Sequence, residues 1–157
     1  MMAKPQLISC TTQAEFALAK ELTKDYMRWL GEDLYYQGID KEFDTFYKMY
    51  GNPEGCFIYA QINGKIAGGV GVRFLEKGIC EMKRLFVYAE FRGHDIGKIL
   101  CDELIKTSKA LGYAKMRLDT IPKLSSAMQL YRKLGFYEIP KYYNNPDKSV
   151  VYFELTF

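Results

Sequence analysis

One stretch decides the fold of this chain, and it reads EMKRLFVYAEFRGHDIGK from Glu81 to Lys98. Residues 81–87 are rich in Leu, Phe and Val, which is typical of a buried strand. A glycine-bearing loop follows at 92–98, and an amphipathic run opens inside it. A loop at the start of a helix gathers unpaired backbone N–H groups, and the helix dipole adds partial positive charge. Because Arg92 and Lys98 flank this loop, we expect it to bind a polyphosphate.

The composition is that of a folded chain. Its 157 residues correspond to about one domain. Apolar residues make up 48% of the chain, which is enough for a sizeable core. No apolar run approaches the ~18 residues of a membrane span, and the first five residues lack the core of a signal peptide. We therefore expect a single cytoplasmic domain over 1–157 that has no membrane partner.

Cysteine and charge patterns exclude further classes. Four cysteines lie far apart, at Cys10, Cys56, Cys80 and Cys101. Without a Cys-x-x-Cys pair they favour reduced thiols over a zinc site or disulfides, and a lone histidine gives no metal cluster. The net charge of +3 is too small to indicate a nucleic-acid partner. Residues 1–50 carry −2 and residues 51–157 carry +5, so the positive part contains the proposed phosphate loop.

Periodicity and turn signals predict an alternating order of elements. We expect strands near 7–11, 56–62, 65–75, 79–87, 113–120, 136–139 and 149–156, and helices near 13–36, 40–50, 96–111 and 125–135. Thr11 or Thr12 is expected to cap the first helix and Ser125 or Ser126 the last. The strand, helix and strand over 79–120 form a crossover unit, so those two strands should be parallel.

Two motifs in this order resemble those of the GNAT (Gcn5-related) N-acetyltransferases. The first is Arg92-x-x-x-x-Gly97 between a strand and a helix, similar to the acyl-CoA-binding pattern Gln/Arg-x-x-Gly-x-Gly/Ala. The second is SAMQLYRKLGF from Ser126 to Phe136, which looks like Ala-x-x-Leu-Tyr-x-Lys-x-Gly-Phe. The resemblance is good from about 81 to 136. It departs at Asp95, where the family usually has glycine, and at Leu124, where many members have asparagine.

The resemblance implies a GNAT-like α/β fold, with a mixed central sheet of about seven strands in the order βααβββαβαββ and about four flanking helices. It also implies acetyl-CoA as co-substrate and no metal. The implied cofactor-binding residues are Leu85, Phe86, Val87, Arg92, Gly93, His94, Asp95, Ile96, Gly97, Lys98, Ala127, Tyr131 and Lys133.

Two residues are expected to carry the chemistry of acyl transfer to an amine. Glu81 lies on the strand that the resemblance places beside the pantetheine arm, where some members carry a catalytic glutamate, so it is the candidate base. The other interpretation is an ordinary strand glutamate paired with Lys83 or Arg117. Tyr131 is the candidate acid, because a phenol with a pKa of about 10 can protonate a thiolate with a pKa of about 8.5. Packing in the core is its other interpretation.

Two interpretations remain open for several polar residues. His94 is expected to face solvent or to contact phosphate. Tyr142, Tyr143 and Asn145 either line an acceptor pocket or belong to a loop that covers the sheet edge. Glu32 and Asp33 either attract a cationic amine or form a solvated helix face.

The predicted function is acetyl transfer from acetyl-CoA to a primary amine, by direct attack in a ternary complex. The alternatives are a non-catalytic acyl-CoA-binding sensor and an ATP-binding protein, and the second lacks the Gly-x-x-x-x-Gly-Lys-Ser/Thr motif. The exposed edge at the last strands permits a homodimer.

Overall fold

The structure, a computed structural model, describes residues 2–31 and 39–157. The strands are β1 Gln6–Ser9, β2 Cys56–Ile62, β3 Lys65–Glu76, β4 Ile79–Val87, β5 Lys115–Thr120, β6 Tyr137–Ile139 and β7 Val151–Thr156. The helices are α1 Gln13–Leu30, α2 Ile39–Asp44, α3 Phe46–Met49, α4 Ile96–Ala110 and α5 Ser125–Lys133, with a short 3₁₀ turn at Ala89–Phe91.

The strands form one mixed sheet in the order β1-β2-β3-β4-β5-β7-β6. Only β4 and β5 run parallel, as the crossover predicted, and the other neighbours are antiparallel. Within the described chain, the parallel pairing covers only 79–81 of β4 and 115–117 of β5. Both strands continue further, to Val87 and Thr120. They therefore separate in the middle of the sheet, and this opening positions the site.

A bulge in β4 lies at the opening. Lys83 pairs with Gly71 and Phe86 pairs with Gly69, so two residues of β4 stand opposite one residue of β3. The first of the two, Arg84, has a positive φ of 64°. On β3, a Cβ on Gly71 would lie 2.7 Å from the ring of Tyr50, so the glycine allows this ring to approach the backbone closely.

Each face of the sheet packs against helices. The face toward α4 and α5 holds one apolar cluster, which includes Val70, Leu100 and Leu104. The other face packs against α1 and α3 through a largely aromatic cluster that includes Phe57 and Tyr50. Residues of β4 contribute to both clusters, because successive side chains of a strand point to opposite faces.

The helix ends correct three sequence expectations. Helix α1 ends at Leu30 instead of near residue 36, because Gly31 adopts a left-handed conformation and its N–H bonds the carbonyl of Met27. The expected helix over 40–50 is two short helices that meet at Thr45. No serine caps α5, since Leu124 holds that position and makes no side-chain capping bond.

At the start of α1 the sequence expectation is confirmed. Thr12 accepts from the N–H of Glu15, and the Glu15 carboxylate accepts from the N–H of Thr12, which together form a capping box. Glu32 and Asp33 lie outside the described residues.

Candidate active site

A cleft of about 600 Å³ opens where β4 and β5 separate. One wall is the bulged part of β4, residues 82–87, and the facing wall is the end of β5, residues 118–120. The loop before α4 and the start of α5 close one side, and the end of α1 closes another. The parting of two parallel strands thus brings five elements around a single cavity.

The loop that enters α4 turns the backbone toward this cleft. Gly93 and Asp95 both have positive φ, at 82° and 61°. They place the first turn of α4 at the cleft, where its N–H groups have no partners within the helix. Asp95 occupies the position before the helix, and its side chain makes no capping hydrogen bond. The ammonium of Lys98 bonds Asp102 at 2.8 Å and is exposed.

Arg92 is held over aromatic rings at the mouth of the cleft. Its guanidinium lies 4.8 Å from the ring centroid of Trp29 and 5.9 Å from that of Phe86. Its Nε donates to the carbonyl of Val87 at 3.0 Å. Stacking and one hydrogen bond therefore fix the charge beside the loop that precedes α4.

Tyr131 points into the same cleft from α5. Its ring packs against Phe136, with centroids 5.8 Å apart, and against Phe153. The residue is 6% exposed, lines the cleft, and its hydroxyl makes no hydrogen bond with the described part of the chain. Burial raises the pKa of the phenol well above its usual range. The hydroxyl therefore stays protonated at neutral pH.

Glu81 lies deeper than the cleft lining, on the α1 face of β4. Its Oε1 accepts from Arg73 Nε at 2.9 Å, and its Oε2 accepts from the Tyr142 hydroxyl at 2.6 Å. Lys83 Nζ is 3.8 Å from Oε1. Burial by itself would raise the pKa of Glu81, but the charges of Lys83 and Arg73 and the Tyr142 bond outweigh it and hold the pKa below its usual range. Any proton that Glu81 receives must pass through these partners or through water.

The expected partner Arg117 bonds elsewhere. Its Nε donates to Glu154 at 2.9 Å, and Nη1 donates to Glu76 at the same distance. Glu81 thus has Lys83 near it, as one sequence interpretation held, while its closest cation is Arg73 at 2.8 Å.

The loop before β7 covers this face of the sheet by binding acidic groups. Tyr142 reaches Glu81 and Tyr143 donates to Asp119 at the end of β5. Asn145 in turn donates to the Tyr143 hydroxyl at 3.0 Å. Neither tyrosine lines the cleft, whereas Asp119 does. The loop therefore orients one carboxylate in the cleft wall, Asp119, and one behind it, Glu81.

All but one of the residues implied as cofactor-binding line this single cleft: Leu85, Phe86, Val87, Arg92, Gly93, Asp95, Ile96, Gly97, Lys98, Ala127, Tyr131 and Lys133. The exception is His94, which is exposed to solvent.

Among the cleft residues that sequence reasoning did not assign to the site are Trp29, Lys83 and Asp119. Trp29 lies in the last turn of α1 and is 45% exposed, whereas the sequence predicted that the helix continues to about residue 36. The adjacent cations Lys83 and Arg84 stand out in β4, but the sequence does not show which face of the strand each one occupies.

A metal-binding cluster and a membrane-spanning helix are both absent from residues 2–31 and 39–157. No group of three or more His, Cys, Asp or Glu in that part of the chain could hold a metal ion. None of the helices over 2–31 and 39–157 is long and apolar enough to cross a membrane.

Comparison with known proteins identifies the family. The model of the Acetyltransferase (GNAT) family matches residues 23–136. An uncharacterized N-acetyltransferase of Schizosaccharomyces pombe is 41% identical over 138 residues, which cover 87% of this chain and 85% of that protein. Another, YjgM of Escherichia coli, is 27% identical over 139 residues, covering 86% and 83%. The chain therefore belongs to the GNAT family, and the predicted enzyme class, an N-acetyltransferase, is confirmed.

Solved structures agree on the fold. A GNAT-family acetyltransferase of Staphylococcus aureus superposes with a TM-score of 0.78 at 23% identity, covering 98% of this chain and 99% of that one. The PaiA N-acetyltransferase of Thermoplasma acidophilum, in complex with coenzyme A, superposes with a TM-score of 0.75 at 19% identity, covering 99% and 100%. The predicted GNAT-like fold is thus confirmed.

Proposed function

We propose that residues 1–157 form one domain that transfers the acetyl group of acetyl-CoA to a primary amine by direct attack in a ternary complex. One observation carries this proposal: the loop before α4, the bulge of β4 and Tyr131 all line one cleft. The coenzyme A bound by the Thermoplasma acidophilum relative supports the choice of acyl donor.

The donor lies along two backbone segments in this proposal. The pyrophosphate meets the unpaired N–H groups of the first turn of α4, with Arg92 and Lys98 beside it. The pantetheine arm follows residues 85–87 at the bulge, where the strand has lost its pairing with β5 and its backbone groups are available. A backbone N–H of this segment then stabilises the oxyanion that forms when the amine attacks.

The reaction proceeds in one attack. The amine nitrogen forms a bond to the thioester carbonyl carbon, and the bond from that carbon to sulfur breaks. The Tyr131 phenol gives its proton to the departing thiolate, so that coenzyme A leaves as its thiol, which has a pKa of about 8.5 and is the main form at neutral pH. The attacking nitrogen, cationic in the tetrahedral intermediate, loses a proton, which returns through solvent to the phenolate. The products are the amide and free coenzyme A.

The amine must be neutral to attack. A lysine-like amine has a pKa of about 10.4, so deprotonation at pH 7 costs roughly 4.6 kcal/mol. We propose that Glu81 receives this proton through a water-mediated path from the cleft. The lowered pKa of Glu81, set by the partners that outweigh its burial, keeps the carboxylate ionised and ready at neutral pH. Asp119, which lines the cleft, is the other carboxylate on this path.

Amine-dependent release of coenzyme A tests the proposal. The purified chain is incubated with acetyl-CoA and a panel of small amines, amino acids and peptides, and free thiol is measured. In parallel, its melting temperature is measured with acetyl-CoA, coenzyme A, ATP and NAD at equal concentrations, since a ligand that binds the folded state stabilises it.

The proposal expects thiol release that depends on an amine, with the largest thermal shifts for acetyl-CoA and coenzyme A. Equal shifts from all four nucleotides would contradict the assignment of the donor. A specific shift with acetyl-CoA but no turnover across the panel would favour the sensor alternative.

A further inference from the structure

The ammonium of Lys83 lies almost buried at the cleft without a hydrogen-bond acceptor. Its side chain is 12% exposed, and its nearest acidic oxygen, Glu81 Oε1, is 3.8 Å away, beyond hydrogen-bond distance. No other described residue accepts a hydrogen bond from it. Burying an ammonium without acceptors is costly, so a site of this kind is completed by an anionic or polar ligand.

The acids around Lys83 already have other partners. Glu42 accepts two hydrogen bonds from Arg84, at 2.8 and 3.1 Å, and one from Tyr50. Glu81 is bound by Arg73 and by a tyrosine of the covering loop. The protein therefore holds the neighbouring carboxylates in place and leaves the Lys83 donors directed at the cleft.

Asp119 faces Lys83 across the opening. The two side chains line the same cleft, on strands that have separated at this level, and they form no ion pair within 4 Å. One Asp119 oxygen is bound by Tyr143, and this carboxylate lies close enough to raise the pKa of Lys83. A cation and an anion held apart on facing walls match the two charges of an amino acid, its carboxylate and its ammonium.

Aromatic rings form the wall next to these charges. Tyr26, Trp29 and Phe86 pack together, with centroids 5.4 to 6.3 Å apart, and all three line the cleft. Such a wall accommodates an apolar side chain of the acceptor.

We propose that Lys83 binds the carboxylate of the acceptor and that the acceptor class is an amino acid with an apolar side chain. Asp119 binds the ammonium group of the same acceptor and directs its nitrogen at the thioester. This inference rests on the proposed acetyl transfer and adds the substrate class. Burial, and then the Arg84 charge, lower the pKa of Lys83, and a bound carboxylate opposes both effects by stabilising the ammonium.

Matched acceptors test the proposal on the wild-type chain. L-Phenylalanine, L-phenylalaninamide and phenethylamine share one ring and one amine but differ in the carboxylate. Because their amines differ in pKa, the pH-independent limits of kcat/KM are compared. A hydrogen-bonded charge pair predicts a preference for L-phenylalanine of about tenfold or more over each analogue.

Variants then assign the preference to Lys83. Lys83→Met should raise KM for L-phenylalanine about tenfold and abolish the preference for it over phenethylamine, while the Kd for acetyl-CoA stays unchanged. Lys83→Arg should keep most of the preference, since it retains the charge. Lys106→Met, an exposed lysine on α4, serves as the matched control and should change nothing.

Three results would overturn the proposal. The first is equal kcat/KM for the three acceptors in the wild type. The second is an equal loss for all three in Lys83→Met, which would make Lys83 a base or a structural residue. The third is acetyl-CoA binding without acetylation of any amine, which would reject the proposed function and this inference together.

Discussion

The guanidinium of Arg84 forms a two-point ion pair with Glu42, with Nη2 2.8 Å from Oε1 and Nε 3.1 Å from Oε2. Both side chains are buried, at 7% and 3% exposed. Arg84 is also the bulged residue of β4 with a positive φ. The pair therefore ties α2 to the backbone that, in the proposed function, holds the thioester.

Replacing Glu42 with glutamine tests this link. Burial by itself would raise the pKa of Glu42, but the charge and hydrogen bonds of Arg84 outweigh it and hold the pKa below its usual range. A carboxylate whose pKa is lowered by folding stabilises the folded state at pH values above its unfolded pKa of about 4.3. This stabilisation is lost as the pH falls through the lower pKa of the folded state. Glu42→Gln should lower the free energy of unfolding by about 3 kcal/mol at pH 7. Urea denaturation should show this difference shrinking below about pH 4.

The matched control is Glu76→Gln. Glu76 pairs with Arg117 but is 59% exposed, so its loss should cost less than about 1 kcal/mol. An equal loss in the two variants at pH 7 would show that burial of the Glu42 pair has no special role.

Glu81→Gln tests the proposed path of the amine proton. Glutamine keeps the size of the side chain but cannot accept the proton, so kcat/KM at neutral pH should fall by about 10²-fold. The alkaline limb should survive, because an amine that is already neutral needs no base. Comparison with Asp119→Asn separates the two carboxylates. A pH profile of unchanged shape and height in Glu81→Gln would assign Glu81 a structural role.

Asp95 is a carboxylate beside the proposed pyrophosphate site. Two unit charges 4 Å apart repel by roughly 4 kcal/mol at an effective dielectric of 20, and solvent and salt reduce this to a fraction. Asp95→Gly should therefore bind coenzyme A more tightly, and more so at low salt. Asp95→Asn, which removes only the charge, should do the same.

Asp95→Gly should leave the stability of the free protein almost unchanged. The Asp95 side chain makes no capping hydrogen bond that the variant could lose, and glycine freely adopts the φ of 61° at this position. The free energy of unfolding should change by less than about 1 kcal/mol. Titration calorimetry at two ionic strengths measures the affinity. Weaker binding by both variants would mean that Asp95 holds the loop in its binding shape.

Local patterns predicted most of the fold. The cap of α1 at Thr12 depends on neighbours in the sequence, and it is present. The parallel pair followed from the length of the crossover between β4 and β5. Helix α5 shows where local patterns fail. Serine is a preferred capping residue, but Leu124 occupies the capping position of this helix.

The cleft was predictable in part. The loop before α4 and Tyr131 belong to motifs that can be recognised along the chain. The Arg84–Glu42 pair joins residues 42 positions apart, and no spacing rule connects them. Lys83 could not be assigned to the cleft either, because its face depends on the bulge, and a shift of one residue reverses every side chain of a strand.

The turnover of Tyr131→Phe, measured together with its Kd for acetyl-CoA, tests the central claim most directly. The hydroxyl makes no hydrogen bond within the described part of the chain, so its removal costs the fold little. If it protonates the departing thiolate, kcat should fall by about 10²-fold while the Kd and the melting temperature barely change. Unchanged kcat with the best acceptor, or a loss of melting temperature without a specific rate effect, would contradict the claim.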